Sequence, residues 1–113
     1  MARTQNLDTT GCIAHNLGAG SVFGVEFVEL GLGDELEQRA VAGCTNKRGL
    51  HGNAVIAAAP LEDPAVVRLT DAGPSWFAAG STQPRVGGRM AVLATVRVDG
   101  TGIQIASTHL ENR

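Results

Sequence analysis

Histidine changes charge closer to neutral pH than any other side chain, so it leads any search for residues that move protons or steady developing charge. The chain carries three, His15, His51 and His109. His109 stands in Ser107-Thr108-His109-Leu110-Glu111-Asn112, a polar cluster directly after the apolar Ile103, Ile105 and Ala106. That places an imidazole at a sheet edge and makes His109 the leading candidate for chemistry. His51 lies in Gly49-Leu50-His51-Gly52-Asn53-Ala54, a glycine-flanked loop entering an apolar strand. Residues at strand ends often serve function; the competing reading is a turn histidine making one backbone hydrogen bond. His15 falls on the polar side of a helix and reads as a solvated surface residue.

Hydrolysis of phosphate esters usually needs a metal held by Asp or Glu. Glu26 and Glu29 interrupt an apolar strand and face water or a polar pocket; three positions apart on a strand, they point to opposite faces and cannot share one ion. Glu35 and Glu37 read as solvated loop charges. Gly31-Leu32-Gly33 lacks both the remaining glycines and the Lys-Ser/Thr of a phosphate-cradling loop. No serine occupies a Gly-x-Ser-x-Gly elbow, and neither Cys12 nor Cys44 has a base in sequence. Two isolated cysteines are expected to be reduced thiols, with one disulfide as the alternative. Nothing resembles a zinc site.

These residues need elements to hold them. Asp8 can cap a helix over Thr9 to Leu17 that ends at Gly18, with Cys12, Ile13, Asn16 and Leu17 on one side. Ser21 to Leu30 is rich in Val and Phe and reads as a strand. Gly31 to Arg48 reads as a long loop with at most a helical turn. Asn53 to Ala59 is expected to be a strand buried on both faces, Leu61 to Pro64 a turn, and Val66 to Leu69 a short strand. Asp71 to Gly88 is expected to be irregular. Met90 to Val98 alternates, with Met90, Val92, Ala94, Val96 and Val98 on one face, and Ile103 to Thr108 runs back after Asp99-Gly100. Asp-Gly between two alternating runs is a strong hairpin signal.

With 113 residues, only one domain fits. Nine basic against eleven acidic residues give a net charge of −2, which disfavours bulk binding of nucleic acid by charge. A 43% apolar content excludes a disordered charged tail. No apolar run is long enough to span a membrane, and Met1 to Thr10 has no secretory apolar core, so a cytoplasmic protein is expected.

Gly52-Asn53-Ala54-Val55-Ile56, Gly87-Gly88-Arg89-Met90-Ala91-Val92-Leu93-Ala94-Thr95-Val96 and Ser107-Thr108-His109-Leu110-Glu111-Asn112, in that order, resemble the endonuclease/exonuclease/phosphatase superfamily. Gly24-Val25-Glu26-Phe27-Val28-Glu29-Leu30-Gly31 resembles one subgroup of it. The resemblance implies an α/β (α+β) fold: the strand-rich part of a four-layer deoxyribonuclease-I-like sandwich, with one short N-terminal helix and a C-terminal β-hairpin. It implies magnesium-dependent phosphoester hydrolysis on DNA, RNA, phospholipid or inositol phosphate. His109 would donate to a non-bridging phosphate oxygen, Asn53 would help shape the substrate pocket or cap its strand, and Arg89 would be structural or on the surface.

The family's metal-binding Glu and Asn would precede Met1. Its Gly-Asp-x-Asn motif and terminal Asp-His pair would follow Arg113, and Gly33-Asp34-Glu35-Leu36 has Leu where Asn is required. The expectation is therefore an internal fragment of a phosphoesterase, inactive alone, whose magnesium ligands lie outside this chain. The alternative is a non-catalytic binding or interaction module retaining part of the fold. A single sheet of the sandwich would also leave an apolar face open to self-association.

Overall fold

The protein was described from a computed structural model, in which residues 1–69, 75–76 and 84–110 are described. It is a mixed α+β chain. A 3-10 turn, Ala2–Thr4, is followed by helix α1 (Thr9–Leu17), strand β1 (Gly20–Glu29), helix α2 (Glu35–Ala40), and strands β2 (Leu50–Ala57), β3 (Leu61–Arg68), β4 (Ser75–Trp76), β5 (Arg85–Gly87), β6 (Met90–Val98) and β7 (Thr101–Thr108). One antiparallel sheet has the order β2-β1-β5-β4 and the other β3-β6-β7. Part of the region expected to be irregular, residues 71–74 and 77–83, and the Glu111-Asn112 end of the last motif lie outside the described residues.

The two sheets face each other over a small core. Val55 from the first sheet meets Met90 and Val92 from the second, with Val22, Leu61 and Ile105 packed around them. Met90 and Val92 are wholly buried, as the alternation of β6 predicts. Gly24 faces this core closely: a methyl group there would displace Met90 Cε and crowd Val66 Cγ2 and Val92 Cβ. A lone sheet was expected, and the described residues instead form two. The inner face of the smaller sheet is only partly covered, however. Val66 pairs with the buried Val92 and Ile103 with Val96, so both share that inner face, yet each is 48% exposed.

Local signals were read well where they are strong. Asp8 caps α1 by accepting from the Gly11 amide, and Gly18 ends it in the left-handed region. Asp99 and Gly100 take φ of 48° and 78° in the β6–β7 turn. Four expectations need correction. Leu61 to Pro64 is strand, because Asp63 at φ 48° opens a bulge between Glu62 and Ala65 that admits proline to this edge strand. β2 is an edge strand with Val55 its one buried residue, so it is not buried on both faces. Within 31–48, Asp34 and Glu37 form a reciprocal capping box that nucleates α2. Finally, α1 turns Ala14 inward and leaves Ile13 and Leu17 exposed, since the small residue permits the closer approach to β1 and β2. In the region expected to be irregular, β4 and β5 extend the first sheet.

Candidate functional site

β1 carries an extra residue. Val25 lies opposite Gly52 and Phe27 opposite His51, so Glu26 has no partner position on β2. On the other side Phe27 pairs with Gly87, and the Gly88 amide donates to the Glu26 carbonyl at 3.0 Å. Gly87 adopts φ 150°, and a Cβ there would overlap that carbonyl, so glycine is required beside the bulge. The bulge holds the Glu26 side chain inside, where it is fully buried. This resolves the expectation of water or a polar pocket in favour of the pocket.

The partners of Glu26 come from the other sheet. Ala91 pairs with Thr108, so the residues just before β6 and just after β7 emerge at one end. Arg89 Nη1 donates to Glu26 Oε1 at 2.6 Å and lies 3.0 Å from His109 Nδ1. Glu26 Oε2 lies 3.7 Å from His109 Nδ1 and 3.9 Å from His51 Nδ1. Both Glu26 Oε2 and His51 Nδ1 are buried without a hydrogen-bond partner among the described residues. Phe27 forms a wall: the Arg89 and Arg85 guanidinium carbons lie 5.4 and 4.3 Å from its ring centroid, and the His51 ring packs against it at 6.3 Å.

Burial depresses the His51 pKa below the ordinary imidazole value. The Glu26 carboxylate pulls it back up, while Arg3, Arg85 and His109 add to the depression. His51 also borders a cavity of about 760 Å3 whose lining includes Asn6, Phe23, Lys47 and Arg48.

His109 thus lies at the end of β7 with its side chain 57% exposed, as its position after the alternating run suggested. Asn53 faces a different neighbour: it is half-buried, opposite Gly24 on β1, and its amide nitrogen lies 3.9 Å from Met90 Sδ. His15 is exposed on α1, and Cys12 and Cys44 are free and exposed. Glu29 belongs to a separate network, with Arg3 at 4.0 Å and Arg3 in turn making two 2.8 Å bonds to Glu37. Among the described residues no helix is long and apolar enough to cross a membrane.

Known proteins give no further guide. The chain matches no family model, no curated protein and no solved structure. Its functional reading therefore rests on this geometry and on the sequence elements quoted above.

Sequence reasoning did not anticipate that Glu26 and Arg89 form the centre of the site, or that His51 faces them. The signals were present. A carboxylate between Val25 and Phe27 in an apolar strand is costly to bury unless paired. An arginine after two glycines and immediately before a buried strand supplies that charge, and Arg89 is 16% exposed rather than a surface residue.

Magnesium prefers oxygen ligands in a near-octahedral shell. No group of three or more His, Cys, Asp or Glu among the described residues is arranged to hold a metal ion. Glu26 gives one oxygen to Arg89 and turns the other toward two imidazoles, whose nitrogens suit other metals better. The described residues therefore do not fit a resident magnesium ion. What they offer is a neutralised buried ion pair, an exposed imidazole and adjacent cations, a set that can donate hydrogen bonds to an anion.

Proposed function

We propose that the chain is part of a phosphoesterase of the endonuclease/exonuclease/phosphatase type, contributing the phosphate-facing His109 and inactive by itself. One observation carries this reading. Glu26, Arg89 and His109 come from three separate sequence elements that resemble the superfamily, and they meet at one end of the two sheets. A resemblance made of unrelated fragments would have no reason to bring its polar residues into contact. His109 would donate to a non-bridging ester oxygen.

Two features of the cluster support the proposed inactivity of the chain by itself. Its carboxylate is tied to a guanidinium and is no free base, and the metal that activates the nucleophile in such enzymes has no ligand set among the described residues. The test is turnover of bis-p-nitrophenyl phosphate with magnesium, together with NMR titration by inorganic phosphate. The reading expects no turnover and a phosphate-dependent shift at His109. Turnover abolished by His109→Ala would overturn the inactivity, and a His109 resonance unmoved by phosphate would overturn the assignment of the site.

The second reading is a non-catalytic binding module. It is favoured by the Arg89–Glu26 pairing, which neutralises the one buried carboxylate of the cluster. Saturable phosphate binding at His109 with no turnover of any phosphate ester would favour this reading.

A further inference from the structure

We infer that Arg89 is a positioning residue: it holds the His109 ring in the tautomer whose proton is on Nε2, with the buried Glu26 as its anchor. A guanidinium has only donors and keeps its charge at any ordinary pH. With Arg89 Nη1 3.0 Å from His109 Nδ1, the imidazole nitrogen must therefore supply the lone pair. The one proton of the neutral ring then resides on Nε2, on the other side of a ring that is 57% exposed.

Arg89 can do this because it is itself fixed. The same Nη1 bonds to Glu26 Oε1 at 2.6 Å, its guanidinium lies over Phe27, and Glu26 is locked in by the β1 bulge. The alternative arrangement is also visible. Glu26 Oε2 is buried, lacks a donor among the described residues, and lies 3.7 Å from the same Nδ1. Without Arg89, the unneutralised carboxylate would draw the proton to Nδ1. Arg89 therefore selects between two states of one ring: Nε2–H, ready to donate outward, and Nδ1–H, bonded inward to Glu26. The tautomer assignment stands on geometry alone; its use as a donor to an ester oxygen rests on the function proposed above.

The experiment is long-range 1H–15N correlation of the 15N-labelled full chain, recorded over rising pH until the pattern no longer changes, so that ring nitrogens report the tautomer of the neutral ring directly. His109→Gln identifies the His109 signals. The inference expects a proton-bearing Nε2 and a bare Nδ1 in the native chain, retained in Arg89→Lys, which keeps a cationic donor. In Arg89→Met the two nitrogen shifts should invert, or both nitrogens should become protonated. A native ring with its proton on Nδ1 overturns the inference, whether or not the Met variant folds. So does Arg89→Met with the native pattern unchanged. A phosphate titration of the same sample separates the two proposals. The expected tautomer with no phosphate response keeps the positioning role and refutes the phosphoester reading. A phosphate response from a ring protonated on Nδ1 does the reverse.

Discussion

Removing either half of the Arg89–Glu26 pair should be costly, and the two costs should differ in a way that burial dictates. In Arg89→Met the carboxylate, wholly buried and 2.6 Å from its former partner, is left facing two imidazoles among the described residues, at 3.7 and 3.9 Å. Leaving one member of a buried pair uncompensated costs about 3–5 kcal/mol. Glu26→Gln is milder. The amide oxygen can still accept from Arg89, and the guanidinium, 16% exposed, keeps some solvent, so about 1–3 kcal/mol is expected. The double variant Arg89→Met/Glu26→Gln removes both charges and should return to within about 1–2 kcal/mol of the native chain, since no uncompensated charge stays buried. The two single costs would then exceed the double cost by at least about 2 kcal/mol, a coupling well outside the additivity error of about 0.5 kcal/mol. The assay is urea unfolding followed by circular dichroism at one fixed pH for all variants. A small domain has little stability to spare, so an unfolded Arg89→Met chain beside a folded double variant would be the same result in stronger form. Additive single costs, or Arg89→Met costing less than Glu26→Gln, would refute the reasoning.

Three further outcomes follow. His51 has its pKa lowered in the folded state, mainly by burial, so the unfolded chain binds the proton more readily. Stability should therefore hold above about pH 6.5 and fall as the pH drops below it, and urea titrations should show that slope reduced in His51→Gln. Magnesium should leave the thermal midpoint unchanged, because a ligand that binds neither state shifts nothing; a rise that increases with magnesium concentration would show an ion site the cluster lacks. Val66 and Ile103, half-exposed on the inner face of the smaller sheet, should drive self-association, so size-exclusion chromatography should show concentration-dependent species that Ile103→Lys suppresses, whereas a monomer at all concentrations would contradict this.

Much of the scaffold was legible because its signals are local. Asp8 and Gly18 bracket α1 through capping chemistry that needs no tertiary partner, and Asp99-Gly100 sets the β6–β7 turn through backbone conformation alone. The alternation of β6 put Met90, Val92, Ala94, Val96 and Val98 on one face, and that face is buried except at Val98, where the strand ends. The errors share a different cause: each depended on a bulge or on which elements are neighbours. Pro64 argued for a turn, and the bulge at Asp63 makes it tolerable in an edge strand. Val55 and Ile56 argued for burial on both faces, and edge position leaves β2 half-covered.

The same division holds for the site. The position of His109 just after β7 was legible because the end of an alternating run is visible in sequence. Glu26 and Arg89 are 63 residues apart, and their contact depends on the packing of one sheet on the other, which no periodicity reveals. His51 is brought to them by the offset that the bulge introduces between β1 and β2. Asn53, one glycine further along the same strand, faces the Met90 sulfur.

The central claim is that one end of the two sheets presents His109 to a phosphate oxygen. Titration of the 15N-labelled chain with inorganic phosphate, read at the His109 ring nitrogens, tests it most directly. A saturable shift at Nε2, lost in Arg89→Met with the fold intact, is the predicted result. A ring that does not respond while phosphate moves resonances elsewhere would contradict it.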